Sequence, residues 1–149
     1  MKTKQITFSY IKDGATEKSA EILEQIVKVG GFQILAMKPF QFNEARAKRF
    51  YEEHKEKQFF KGLWLYTIQA PVLVMILTHP TSEDVVRDFR NFIGSTNPNK
   101  AEVGTIREKY GNKELYEKGI PANAIHGSDS RANAIREIKL VAFSISEYE

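Results

Sequence analysis

The chain has 149 residues, 42% hydrophobic and 28% charged, with no cysteine and a formal net charge of +3. This length favours one domain, residues 1–149, able to bury a core without staples, and the lack of cysteine excludes disulfides, thiolate metal sites and a cysteine nucleophile. The small positive excess suits anionic ligands, but the lysines interleave with glutamates, as in Glu52-Glu-His-Lys-Glu-Lys57, which reads as a solvated surface and makes nucleic acid an unfavoured partner.

In chain order, Ile6, Phe8 and Tyr10 alternate with Thr7 and Ser9, the period of a strand. A turn at Lys12-Asp-Gly14 leads into a helix with Ala20, Leu23, Ile26 and Val27 on its apolar face, stopped by Gly30-Gly31. A second strand spans 32–37. Asn43 is placed to cap a helix bearing Ala47, Phe50 and Tyr51. Residues 59–68 are apolar and read best as a helix, and residues 71–77 as a buried strand with Pro71 tolerated at its start. Ser82 is the expected cap of a helix carrying Val85, Val86, Phe89 and Ile93, closed by Gly94. Residues 95–123 read mostly as loop. A short fourth strand over 124–126 precedes a final helix capped by Ser130 and carrying Ala134, Ile135 and Ile138. Split βαβ units in this order predict an α+β domain, an antiparallel sheet covered by helices. The apolar run at 70–77 is too short to cross a bilayer, and Met1-Lys-Thr-Lys-Gln5 lacks the apolar core of a signal peptide. The expectation is a cytoplasmic protein with no membrane partner.

The long segment from Ser95 to Ser130 is the natural place for function, because loops of that length in a compact domain are usually functional. It is rich in groups that suit phosphate: Thr96, Asn97, Thr105, Arg107, Asn123, His126 and Ser128. It has no GxxxxGK[ST] loop, so phosphate would be held by side chains. Of the three histidines, His54 sits among charges and His79 beside Pro80, both ordinary surface or capping positions. His126 differs: Gly127 follows it, and Ser128, Asp129 and Ser130 crowd near it.

The run Asn123-Ala-Ile-His-Gly-Ser-Asp-Ser130 resembles, nearly residue for residue, the active-site signature of the nucleoside diphosphate kinases. Arg90-Asn-Phe-Ile-Gly-Ser-Thr-Asn-Pro98 resembles that family's helix end and following loop, and Gly104-Thr-Ile-Arg107 its next motif. Tyr51, with Phe59-Phe60 and Gly62-Leu63 after it, resembles the family's nucleotide-binding helical hairpin, and Lys12 at the end of the first strand also fits. The resemblance covers essentially the whole chain. It implies a ferredoxin-like fold with a four-stranded antiparallel sheet, and ping-pong transfer of a γ-phosphoryl group from a nucleoside triphosphate to a nucleoside diphosphate. It implies His126 as the nucleophile, Glu137 and Ser128 as the pair that orients it, and Arg90, Thr96 and Arg107 as phosphate ligands. Lys12 and Asn123 resemble contacts to the ribose hydroxyls, with Lys12 also near the transferred phosphate. Phe59 resembles the face on which the base stacks, and Tyr51 a residue close to the histidine and the phosphates. Mg2+ would be carried by the nucleotide phosphates, with no metal site of the protein's own, and the enzyme would be a homo-oligomer, a tetramer or hexamer built from dimers.

The chain departs from the family in two places. Lys12-Asp13-Gly14 stands where the family has Lys-Pro-Asp, in a shorter turn. The stretch between Arg107 and Asn123 is longer than typical by roughly six residues. Its added part, Asn112-Lys-Glu-Leu-Tyr-Glu-Lys-Gly119, has an N-cap, a Glu114–Lys118 pair and a terminal glycine, and predicts a short helix. Leu115 and Tyr116 are adjacent and cannot share one face, so one packs on its own subunit while the other reaches a neighbour or the nucleotide entrance. The last residues, Ser144-Ile-Ser-Glu-Tyr-Glu149, follow closely on the final helix, so the contacts of a longer tail are expected to be missing. Two other readings compete. One is a nucleotide- or nucleic-acid-binding module on this scaffold without efficient transfer, favoured weakly by the basic bias and the altered Lys12 turn. The other is a purely structural oligomer, against which the joint presence of His126, Arg90, Arg107 and Glu137 argues.

Overall fold

The structure is a computed structural model and describes residues 5–143. The N-terminal start and the C-terminal tail considered above, residues 1–4 and 144–149, lie outside the described residues. Side-chain alternation builds the sheet. β1 (Thr7–Ile11) points Phe8 and Tyr10 to one face and Thr7, Ser9 and Ile11 to the other, and all five are buried. β2 (Gln33–Phe40), β3 (Val72–Thr78) and β4 (Ile125–Gly127) complete four strands in the order β2-β3-β1-β4, each neighbour antiparallel. β3 divides its side chains like β1, with Val72, Val74 and Ile76 against Leu73, Met75 and Leu77.

Seven α-helices accompany these strands among the described residues: α1 (Ser19–Glu24), α2 (Glu44–Phe50), α3 (Phe60–Thr67), α4 (Val85–Ile93), α5 (Ile106–Tyr110), α6 (Lys113–Glu117) and α7 (Arg131–Leu140). Both sheet faces are covered, which explains the burial of every β1 residue. On one side Ala47 and Phe50 of α2, Trp64 of α3 and Ala134 and Ile138 of α7 pack on Phe8, Tyr10, Val74 and Ile76. On the other, Ile22 of α1 with Ile26, and Val85, Phe89 and Ile93 of α4, pack on Ile11, Met75, Leu77 and Ile125. The connections β1–α1–β2 and β3–α4–β4 each pass over one intervening strand. This is the split βαβ arrangement expected of a ferredoxin-like α+β fold.

Several local expectations change. Asp84, not Ser82, caps α4, its carboxylate accepting from the Arg87 amide; Ser82 accepts from the Asp84 amide and donates to Asp88. Both are good capping residues, and the one adjacent to the first helical residue wins. The buried stripe of the first helical segment is Ile22 and Ile26, while Ala20 and Val27 are exposed; from Gln25 to Val29 the chain widens into a π-turn, which shifts the angular position of Val27. β2 runs on through Pro39, which an edge strand tolerates. The segment 95–123 is mostly loop, as expected, with two short helices in it. It contains α6, capped by Asn112 as expected, and also α5, whose N-cap is Thr105. Thr105 therefore serves the backbone amide of Glu108.

Candidate active site

His126 lies in β4, opposite Tyr10 of β1, and faces α2 and α7. Its Nε2 is 2.8 Å from Oε1 of Glu137, which α7 projects from its buried side. The Ser128 hydroxyl sits 2.6 Å from the same Oε1 and 3.1 Å from the Phe8 carbonyl. Its single hydrogen goes to one acceptor at a time, and an ionised carboxylate is the stronger. Glu137 is 4% exposed and Ser128 is fully buried, so the charge has these donors and little water. A carboxylate only accepts, so the neutral imidazole carries its hydrogen on Nε2 and keeps the lone pair of Nδ1 free. The ring is framed by Tyr10, near-parallel at 5.2 Å and 23°, and by Phe50, edge-on at 5.1 Å and 69°. α4 presses on the other side of the strand. A Cβ added at Gly127 would meet Ile93 at 3.1 Å and Phe89 at 3.3 Å, so the residue after the histidine has to be small.

Two arginines close in on this strand from α4 and α5. Arg90 donates to the Gly127 carbonyl at 3.0 Å. Arg107, 5% exposed, donates through Nε and Nη2 to the Ile125 carbonyl and through Nη1 to the Gly94 carbonyl. Those three bonds fix the guanidinium plane and leave two of its five N–H groups for a ligand. Burial first, and Arg90 second, lower its pKa to about 10. Lys12 is 6% exposed at the end of β1, with Nζ 3.4 Å from the Pro121 carbonyl. Burial, with the charge of Arg107 behind it, pulls its pKa from 10.5 to about 7. Such an ammonium lacks an anion, and the cleft beside it is where one would sit.

The Lys12 turn is held from outside. Its amide donates to Ala124, and Tyr66 of α3 donates to the Asp13 carbonyl at 2.5 Å. Gly14 adopts φ +87, a conformation that a side chain would strain. Asn123 is 4% exposed; its Nδ2 donates to the Thr96 carbonyl, while its buried Oδ1 has no partner among the described residues. The next residue, Ala124, has φ 74, and the Ile125 amide bonds the Asn123 carbonyl across it, a strained γ-turn. That strain aims the Asn123 amide group into the cleft.

A cavity of about 560 Å³ joins these groups. Its walls include Lys12, Tyr51, Phe59, Arg90, Thr96, Arg107, Asn123, His126 and Glu137, every site residue that the family resemblance implied except Ser128, which stands behind Glu137. Asn97 and Thr105 are not among its lining residues. Phe59 stands at the start of α3, 52% exposed, and its ring is 5.4 Å from that of His54. The added segment closes the same cleft with Tyr116, Gly119, Ile120 and Pro121, so Tyr116 is the residue that reaches the entrance. Asp129, exposed, also lines it. Sequence reasoning passed over Tyr10, His54, Tyr66 and Arg136. Arg136 of α7 donates to the Arg49 and Phe50 carbonyls at the end of α2 and so holds Tyr51 at the cleft. An arginine on the outer side of an amphipathic helix carries no signal of such a contact; Tyr10 at least lay on the β1 face that the alternation marks as core.

The fold and the cleft define a small α+β enzyme domain in which two arginines and a lysine converge on a histidine. Comparison with known proteins gives the family. The family profile for nucleoside diphosphate kinase matches residues 5–147. The nucleoside diphosphate kinase of Histophilus somni (strain 2336) is 39% identical over 138 residues, covering 91% of each chain. The crystal structure of the Aquifex aeolicus nucleoside diphosphate kinase superposes with a TM-score of 0.80 at 35% identity, over 94% of this chain and 95% of that one. The halophilic nucleoside diphosphate kinase from Halobacterium salinarum in complex with CDP gives 0.80 at 30% identity, over 95% and 88%. The chain belongs to the nucleoside diphosphate kinase family, and with it to the phosphotransferases.

Proposed function

We propose that the protein is a nucleoside diphosphate kinase that works by ping-pong transfer through phosphorylated His126. The observation that carries this reading is the pairing of Nε2 with Glu137, which leaves Nδ1 as the free nucleophile in the cleft. Its lone pair attacks the γ-phosphorus, a P–N bond forms, and the bond to the bridging oxygen breaks with its electron pair going to the departing diphosphate. The second diphosphate reverses the step. Positive charge that grows on the imidazole is met by the Glu137 carboxylate, which also accepts from Ser128. Phosphoryl transfer needs positioning and charge neutralisation more than covalent help. Arg90 and Arg107 are the forked phosphate ligands, Thr96 a hydroxyl ligand, and Tyr51 a hydroxyl near the phosphates. Lys12 regains a counter-charge from the transferred phosphate, and the partnerless Oδ1 of Asn123 accepts from a ribose hydroxyl. Phe59 stacks on the base.

Mg2+ would come with the nucleotide. A hard cation bound through phosphates and water asks one or two carboxylates of a protein, and the exposed Asp129 on the cleft wall fits that demand. When bound, the ion draws charge from the phosphate oxygens. The same reading makes residues 1–149 a single catalytic domain in a cytoplasmic homo-oligomer, a tetramer or hexamer. Among the described residues no helix is long and apolar enough to cross a membrane. Incubation with γ-labelled nucleoside triphosphate should leave acid-labile phosphate on the protein. His126→Ala should lose both label and turnover, by at least about a thousandfold, while nucleotide affinity holds within a few-fold. Mutant turnover near the wild-type rate would sink the assignment.

A further inference from the structure

Among the three aromatic rings around the proposed nucleophile, Tyr10 is the one that lies near-parallel to it. Its place follows from the sheet. Tyr10 and His126 are direct partners in the β1–β4 register, and partners in an antiparallel ladder project their side chains to the same face. The two rings therefore meet, near-parallel at 5.2 Å. Phe50 closes on both edge-on, at 5.1 Å from His126 and 5.7 Å from Tyr10. Glu137 anchors the imidazole at a single atom, Nε2. One hydrogen bond fixes a point and leaves the ring free to swing about it; a flat face laid against the ring removes that swing and fixes the direction of the Nδ1 lone pair.

The other end of Tyr10 is equally committed. Its hydroxyl is hydrogen-bonded to the hydroxyl of Tyr51, both buried at their oxygens, and Tyr51 lines the cleft. Burial pushes both phenols well above their ordinary range, so each keeps its hydrogen. Thr67 also lies in hydrogen-bonding reach of both hydroxyls, but its own hydrogen goes to the Leu63 carbonyl at 2.8 Å, so towards the tyrosines it can only accept. When Tyr10 donates to Tyr51, the Tyr51 hydrogen is left for Thr67 or, once one is bound, for an anion in the cleft, which is the stronger acceptor.

We propose that Tyr10 is a positioning residue for phosphoryl transfer: its ring fixes the plane of the His126 imidazole, and its hydroxyl presents the Tyr51 O–H to the phosphate. This rests on His126 being the nucleophile. The test is single-turnover phosphorylation of the protein by a labelled nucleoside triphosphate, with nucleotide affinity measured separately. Tyr10→Phe keeps the ring and should slow phosphorylation roughly three- to tenfold at unchanged affinity. Combined with Tyr51→Phe it should add nothing to the effect of Tyr51→Phe alone, because both remove one relay. Tyr10→Met fills the space without a flat face and should slow the step by a further tenfold or so, with the 15N resonances of the His126 ring broadened. A purely structural Tyr10 would lower the melting temperature and leave the phosphorylation rate and the cycle untouched. Wild-type rates in both variants, or additive effects with Tyr51→Phe, would overturn the proposal; should Tyr10→Met not fold, a wild-type rate in Tyr10→Phe is enough to do so. Absence of label on the wild-type protein would instead overturn the nucleophile reading and take the Tyr10 proposal with it.

Discussion

The two ends of the cleft are built in opposite ways. At the inner end His126, Glu137, Ser128 and Arg107 are tied to one another or to backbone carbonyls, and three of the four are 5% exposed or less. At the outer end Phe59 is half exposed, His54 has no partner for its buried Nδ1 among the described residues, and Tyr116 rides on a five-residue helix. In the proposed reaction the inner end must hold one geometry to within a fraction of an ångström, and satisfied buried networks do that. In the same reading the outer end would meet bases that differ in their hydrogen-bonding edges but share a flat face, and a loosely held ring would accept them all. Rigidity follows the chemistry, and looseness follows the variety of substrates.

Breaking the inner end should cost most. Glu137→Gln keeps the shape but removes the charge and lets the side chain offer a donor to Nε2. The imidazole would then carry its hydrogen on the wrong nitrogen. A loss in kcat of about a hundredfold or more is expected, with KM little changed; a kcat within threefold of wild type would show that Glu137 does not set the tautomer.

Lys12 stands between the two ends and should give the next largest effect. Lys12→Met should weaken nucleoside triphosphate binding by about 2 kcal/mol, roughly thirtyfold. Its titration is a separate test. Between pH 7 and 10.5 the unfolded chain holds a proton that the folded Lys12 has released, so stability should rise with pH across that window. Below pH 7 both states are protonated and that contribution is gone. Urea denaturation from pH 7 to 10 should show the slope in the wild type and lose it in Lys12→Met. Nucleotide binding at pH 8 should take up a proton, seen in calorimetry as a heat that varies with the buffer; a buffer-independent heat would contradict the buried neutral amine.

At the outer end the effects should be smaller and even-handed. Phe59→Ala should weaken adenine, guanine and pyrimidine nucleotides alike, by about 1–2 kcal/mol, and the wild type should accept all of these diphosphates within about a hundredfold in kcat/KM. Selective loss of one base would reveal an edge-reading group. Smallest of all, deletion of Lys113 to Lys118 should raise KM a few-fold through loss of Tyr116, and light scattering on the same protein would show whether α6 also alters assembly. Unchanged mass and unchanged kinetics would make the segment an idle excursion.

His126 and Ser128 of the inner end were legible in the sequence because they are contiguous, in the single run Asn123 to Ser130, while Arg107 and Glu137 lie outside it, and Glu137 was reached only through the family resemblance. The alternation of β1 and the unbroken apolar run of β3 were legible for the same local reason. What was hidden needed distance. The Tyr10–His126 contact depends on a strand register between residues more than a hundred positions apart. The Arg136 clamp on the α2 carbonyls depends on how two helices cross. α5 was hidden because Thr105 suits a phosphate as well as a helix cap, and its residue type alone does not separate the two. The cap of α4 shows the same ambiguity between Ser82 and Asp84. The Lys12 turn, suspect for its missing proline, is stiffened instead by a hydroxyl from another helix.

That hydroxyl makes α3 a measuring rod. Phe59 stands at its first turn and Tyr66, which pins the Asp13 carbonyl beside Lys12, at its last. Seven residues of helix put the two about 10 Å apart along a stiff axis. The spacing between the proposed base platform and the proposed phosphate-side lysine is thus carried by a length of helix, not by the loops that lead to either one. A residue added within α3 would turn one end by about 100° relative to the other and lengthen the rod by about 1.5 Å. It would put platform and lysine out of step even if every side chain of the cleft were kept.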